Sequence, residues 1–185
     1  FGRKRKYALG KTSGKANIKN NLDELGIKLS DKELKMVTSK VIELGDKKER
    51  VTIEDLPYII NDVLDYPEKN KKVIIDSYVL TSAKTLKPST ALSMIIENKL
   101  YQETASGDGQ FDAFMNALKS IYKSIGLKLP KLIDYSVRIP PGSDSDALCE
   151  TTITWNSGKK KFKTRGLDSD QTVAAIKATE KMLNI

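Results

Sequence analysis

The sequence contains no histidine and one cysteine, Cys149. Without imidazole there is no His general base, no Ser-His or Cys-His nucleophile pair and no His-ligated zinc. A lone cysteine excludes an internal disulfide, a CxxC redox motif and an iron–sulfur cluster held by this chain alone. Aromatic residues make up only 6% of the chain, leaving few faces on which bases could stack. No uncharged apolar run approaches the roughly 20 residues of a membrane span. The basic start Phe1-Gly2-Arg3-Lys4-Arg5-Lys6 has no apolar stretch behind it. Neither anchor nor secretion signal is therefore expected, and a cytoplasmic setting is the simplest. What stays open is carboxylate, Lys or Tyr chemistry, oxygen-ligated metal, or no chemistry. The chain begins at Phe1 rather than Met, which fits a portion of a longer protein.

With 185 residues, 39% of them apolar, the chain has the material for one or two ordinary cores. The net charge of +8 raises a nucleic-acid hypothesis, so its distribution matters. Residues 1–72 hold 17 Lys/Arg against 12 Asp/Glu, and residues 73–185 hold 15 against 12, so the excess is spread. Its densest runs are Arg3–Lys6, Lys69-Asn70-Lys71-Lys72 and Lys159-Lys160-Lys161-Phe162-Lys163. The last two fall where loops or an edge strand are expected, positions at which Lys keeps a surface solvated and an edge unpaired. A basic nucleic-acid-binding module remains the alternative reading. Against it, the aromatics fall mainly at apolar-face positions and do not interleave with the Lys runs.

The first third reads as helices. Ser13 is placed to cap a helix over Gly14–Leu25, with Ile18, Leu22 and Leu25 on one side and a stop at Gly26. Ser30 and Glu33 have the spacing of a capping box ahead of Leu34, Val37, Val41 and Leu44. Thr52 with Asp55 opens a third helix carrying Leu56, Ile59, Ile60, Val63 and Leu64, with Pro57 in its first turn. Tyr66–Lys72 is a polar linker and marks a boundary.

Beyond it the hydrophobic period changes from 3.6 to 2. Val73–Ser82, Thr90–Glu97 and Lys99–Ala105 read as strands, Gly107-Asp108-Gly109 breaks the pattern, and a helix with Phe111, Phe114, Met115, Leu118, Ile121, Tyr122 and Ile125 on its apolar side ends at Gly126. The same order recurs: strands over Leu132–Ile139, Asp146–Trp155 and Lys160–Arg165, a break at Gly166–Asp170, and a helix over Gln171–Asn184. A shift of 61 residues superposes Gln110 on Gln171, Ala113 on Ala174, Met115 on Ile176 and Ala117 on Ala178. The fold class is thus α+β, a helical connector (1–66) followed by a duplicated βββα domain (73–185, with repeats 73–126 and 131–185).

Chemistry-bearing constellations are sparse. Gly107-Asp108-Gly109-Gln110 and Asp168-Ser169-Asp170-Gln171 each open a helix, so backbone N–H groups and the positive dipole end face what lies before them. Either suits a carboxylate or phosphate, and either is equally ordinary helix punctuation. Neither is a nucleotide-binding fingerprint. Pro140–Asp146 joins two strands and lacks EF-hand spacing, so no metal ligand set is expected, and no catalytic residue is assigned. Tyr135, Ile139 and Cys149 flank that loop and read on residues alone as core positions of a sheet.

Several motifs together carry a resemblance. Phe1–Lys15, Leu44-Gly45-Asp46-Lys47-Lys48 and Val51–Leu56 resemble the region just after the catalytic barrel in the 2-isopropylmalate, citramalate and homocitrate synthases. Ser106–Ala113, Ile133-Asp134-Tyr135, Gly142, Asp146-Ala147-Leu148 and Thr172-Val173-Ala174-Ala175 are similar to that family's C-terminal allosteric domain, itself a pair of βββα units. Tyr7–Lys15 and Pro130–Ala147 look most like citramalate synthase. The resemblance implies a noncatalytic regulatory portion of a branched-chain amino acid biosynthetic acyltransferase. The parent's divalent metal and acetyl-CoA would belong to an upstream barrel, with no cofactor in these residues. It further implies a homodimer that binds leucine or isoleucine as feedback inhibitor, without nucleic acid or membrane as partner. Carried over by motif, Leu132, Tyr135, Ile139, Ala147 and Cys149 would line the aliphatic pocket. Gly107, Asp108, Gly109, Gly142, Ser145, Ser169 and Gln171 would sit in the loops holding the ammonium and carboxylate.

Overall fold

The computed structural model describes residue 9 and residues 14–46, 51–64, 71–139, 147–158 and 160–185. The chain divides into two compact parts: residues 1–67 with 137–150 and 167–171, and residues 68–136 with 151–166 and 172–185.

In the first part, α1 (Lys15–Glu24), α2 (Asp31–Asp46), a 3₁₀ turn (Ile53–Asp55) and α3 (Leu56–Leu64) follow one another. Their starts and stops are local. Ser30 N–H donates to Glu33 Oε2 at 2.8 Å, and Glu33 N–H to Ser30 Oγ at 3.4 Å, closing the capping box. Thr52 N–H donates to Asp55 Oδ2 at 2.7 Å. Pro57 is the second residue of α3, where no intrahelical N–H is missed. Gly14 is the N-cap of α1, and Ser13, expected there, lies outside the described residues. Ile18, Leu22, Leu34, Val37, Val41, Leu44, Leu56 and Ile59 form a core, into which Leu148 and Leu167 also enter. Leu9 N–H donates to Val51 O at 2.9 Å in an antiparallel bridge beside it.

In the second part, β1 (Val73–Ala83), β2 (Leu86–Ile96) and β3 (Lys99–Ser106) form an antiparallel meander that leads into α4 (Gln110–Ser124). Glu97 and Asn98, at φ of 48° and 65°, make the two-residue turn between Ile96 and Lys99. Positive φ at both turn positions matches the right-handed twist of the flanking strands. β2 starts four residues earlier than the residue pattern predicts, because Ala83 pairs with Leu86 and carries the ladder through Lys87 and Pro88. The Pro88 carbonyl accepts from Gly107 N–H at 3.0 Å. α4 ends as expected: Gly126 takes φ 73°, and Leu127 N–H reaches back to Tyr122 O at 2.9 Å, a Schellman cap.

β4 (Lys131–Arg138), β5 (Cys149–Asn156), β6 (Lys161–Asp168) and α5 (Gln171–Leu183) repeat the pattern, with sheet order β4-β5-β6. β5 begins at Cys149, later than the expected Asp146. Lys161 and Lys163 are exposed on edge strand β6, as an unpaired edge requires. Both repeats feed one core: Leu92, Met94, Phe114, Leu118 and Ile121 of the first pack in the same cluster as Ile153, Trp155, Ala175, Ala178 and Met182 of the second. Trp155 is fully buried, and its Nε1–H donates to Thr164 Oγ1 across β5 and β6 at 2.7 Å. Burying a large apolar side chain of this kind contributes about 1.5–3 kcal/mol. α5 lies close on β6, since a Cβ at Gly166 would fall 2.0 Å from the Ala174 carbonyl oxygen.

Candidate functional site

The break at Gly107–Gly109 sits between β3 and α4, and its shape follows from small residues. Gly107 is buried with no room for a Cβ, which would lie 2.3 Å from Ala113 N. Gly109 is the N-cap of α4 in extended geometry, its carbonyl accepting from Ala113 N–H at 2.9 Å. The Asp112 carboxylate turns back on the loop: Oδ2 accepts from Asp108 N–H at 3.0 Å and from Asn116 Nδ2 at 3.3 Å. Asn116 Nδ2 also donates to Ser106 O at 3.1 Å. The Asp108 side chain is exposed and pairs loosely with Lys87 at 3.6 Å. The loop is thereby held rigid against the first turn of α4, with the positive end of that helix before it.

Beside this turn stands β4. The Tyr135 ring lies 5.5 Å from that of Phe111, which stacks on Phe114 at 6.2 Å, and Phe114 meets Tyr78 edge-on at 6.4 Å. Such pairs add about 0.5–1.5 kcal/mol beyond their buried area. Leu132 packs against the same core. Thr172, in the first turn of α5, approaches Gln110, in the first turn of α4, with 3.5 Å between Oγ1 and Oε1. Thr172 and Gln110, and Phe111 and Tyr135, are thus neighbours within the second part.

The remaining expected positions belong to the first part. Cys149 is 5% exposed, and its thiol donates to Asp168 O at 3.1 Å. Asp170 N–H bonds Asp168 Oδ1 at 3.2 Å, an Asx turn that starts α5. Ser169 and Gln171 are exposed and Ala147 is half-buried. Ile139, read on residues alone as a core position, is 62% exposed. Gly142 and Ser145 lie outside the described residues. Tyr135 thus meets Phe111 in the first turn of α4, just after Gly107–Gly109, and Cys149 meets Asp168 and Ser169 at the end of β6.

Phe111, Gln110 and Thr172 were not among the expected site residues. Phe111 read simply as core-facing, and its ring contact with Tyr135 of β4 could not be read from the residues alone. The reading of both helix starts as anion-facing loops, and the repeat alignment that set Gln110 on Gln171, had pointed to this region without naming the partners. Among the described residues no three carboxylates or thiols converge as a metal cluster, and no helix is long and apolar enough to cross a membrane.

Residues 50–185 match the LeuA allosteric (dimerisation) domain, and residues 1–49 match a homocitrate synthase post-HMGL domain-like segment. The chain belongs to the LeuA allosteric domain family. It is 31% identical over 184 residues to a putative (R)-citramalate synthase of Archaeoglobus fulgidus, covering 100% of this chain and 37% of that protein. It is 31% identical over 180 residues to a 2-isopropylmalate synthase of Aquifex aeolicus, covering 97% of this chain and 34% of that protein. A 2-isopropylmalate synthase of Methanocaldococcus jannaschii is 30% identical over 182 residues, with 96% and 34% covered. The chain thus spans little more than a third of the length of these relatives. As a LeuA-type regulatory domain it has the duplicated βββα architecture that its residue pattern announced.

Proposed function

We propose that this chain is the regulatory portion of an acetyl-CoA:2-keto acid acyltransferase of the 2-isopropylmalate or citramalate synthase type, and that it binds leucine or isoleucine as a feedback inhibitor. The observation that carries the reading is the ring contact of Phe111 and Tyr135 beside the start of α4. That combination suits a branched-chain amino acid. Apolar surface receives the side chain, helix-start N–H groups receive the carboxylate, and loop carbonyls or the exposed Asp108 carboxylate receive the ammonium. Ile139, Gly142, Ser145, Ala147, Cys149, Ser169 and Gln171 are proposed as the further effector contacts.

On this reading residues 1–66 are the connector and residues 73–185 the effector domain. The protein works as a cytoplasmic homodimer, and an upstream barrel supplies the metal and acetyl-CoA chemistry. Effector binding favours one arrangement of domain and connector, with a coupling of about 1–3 kcal/mol. Leucine and isoleucine differ only in where one methyl branches, and a misplaced or missing methylene in an apolar pocket is worth about 1–3 kcal/mol.

Calorimetry with leucine, isoleucine, valine and lysine tests the proposal. Saturable binding of leucine or isoleucine, weakened by Tyr135→Ala in a folded protein, is expected. No heat and no melting shift at millimolar concentration would sink it. An oligonucleotide titration at low salt should stay flat, and salt-sensitive binding would favour a nucleic-acid module instead.

A further inference from the structure

β1 is an edge strand of its sheet, so one row of its backbone groups has no strand neighbour. α5 supplies that neighbour with side chains. Asn184 Oδ1 accepts from Val73 N–H at 3.0 Å while its Nδ2 donates to Val73 O at 2.8 Å, the paired bonds an antiparallel strand would make. Its Nδ2 also donates to Glu180 O at 2.9 Å, which fixes the amide's orientation. One turn back, Glu180 Oε1 accepts from Ile75 N–H at 3.3 Å, and Oε2 pairs with Lys71 at 3.5 Å. The spacing explains the fit. Four helical residues rise about 6 Å and two strand residues about 6.6 Å, so positions i and i+4 of α5 meet alternate N–H groups of β1. Beyond Ile75 the register of β1 against β2 shifts.

We propose that Glu180 and Asn184 form a latch through which an effector held at the start of α4 acts on residues 71–75 at the start of β1. This rests on the effector reading above. Three observations support it. The first turn of α5 touches that of α4 through Thr172 and Gln110, so α5 begins at the candidate site. α5 is a continuous helix of 13 residues, seated against β6 with no space at Gly166. Its far end holds Lys71, Val73 and Ile75 at the start of β1. Displacement at one end of a rod of 13 residues, about 20 Å long, therefore reaches the other. Glu180 and Asn184 are positioning residues that touch no effector.

Amide hydrogen exchange on this chain, with and without saturating leucine or isoleucine, tests the latch. In the wild type the Val73 and Ile75 amides should be protected, and effector should change their exchange by about tenfold or more. In Asn184→Ala that response should vanish at Val73, and by reciprocity calorimetric affinity should shift by up to about the same factor. Glu180→Ala should release Ile75 and leave Val73 bonded, which keeps the test decisive if Asn184→Ala does not fold. Effector binding to the wild type with no change at Val73 and Ile75 would overturn the latch and leave the effector reading standing. So would a wild-type response in both variants. Absence of binding to the wild type would instead overturn the effector reading, and the latch's regulatory role with it.

Discussion

Replacing Gly166 by Ala puts one methyl group where α5 crosses β6. The new Cβ would fall 2.0 Å from Ala174 O, 2.7 Å from Ala178 N and 3.0 Å from Ala174 C, all backbone atoms. Ordinary carbon contacts lie near 3.5 Å, so the helix must retreat by roughly 1 Å or more along this seam. That retreat loosens Ala174, Ala175, Ala178 and Met182 from a core in which each is buried. Overpacking of this kind costs about 1–3 kcal/mol, and immovable backbone places this site at the upper end. The smaller entropy of the unfolded Ala chain returns about 0.4–1 kcal/mol. A net loss of about 2 kcal/mol follows, or about 4–8 °C in melting temperature for a chain of this size. Urea denaturation followed by Trp155 fluorescence measures it as a lower midpoint at unchanged slope. Ala174→Gly in the same chain should not rescue stability, because the obstructing oxygen is main chain. An unchanged midpoint, or rescue by Ala174→Gly, would refute the close-packing argument.

Three further outcomes are expected. Thr90 is 2% exposed and its hydroxyl has no partner among the described residues, so Thr90→Val, which keeps the shape, should raise stability by about 1 kcal/mol; a lower urea midpoint would show that the hydroxyl is satisfied. Thr164→Val strands the buried Trp155 indole N–H and should cost about 1–3 kcal/mol in the same assay, and a neutral result would mean that the 2.7 Å bond contributes nothing net. Hydrogen bonds from Ser30 hold the Glu33 carboxyl below its usual 4.5. Because the folded value is depressed, the cap's contribution to α2 is present above that range and lost as pH falls through the folded value. A carboxyl-carbon titration of Glu33 with its midpoint at or above 4.5 would contradict the capping box.

What could be read from the residues was what a few neighbouring residues decide. Ser30 with Glu33, Pro57 at the start of α3 and Gly126 at the end of α4 act within one helical turn, and each appears where its chemistry put it. The change of period after Lys72 and its repetition after Pro130 were visible because strand and helix alternation is written residue by residue. β2 ran longer than expected because its first residues owe their state to pairing with β1, which local propensity does not contain.

The candidate site divides along the same line. Gly107 and Gly109 were legible as a helix-start loop, since small residues and an N-cap announce themselves. The partners of that loop were not. Phe111 and Tyr135 are 24 positions apart and owe their contact to the placement of one repeat on the other. The element types, their duplication and their punctuation follow from the residues, because those are short-range preferences of the backbone. That Asn184 completes the edge of Val73, 111 residues away, follows from the assembled fold. A bond over that distance exists only when packing of the whole core has already met the entropy of closing the loop.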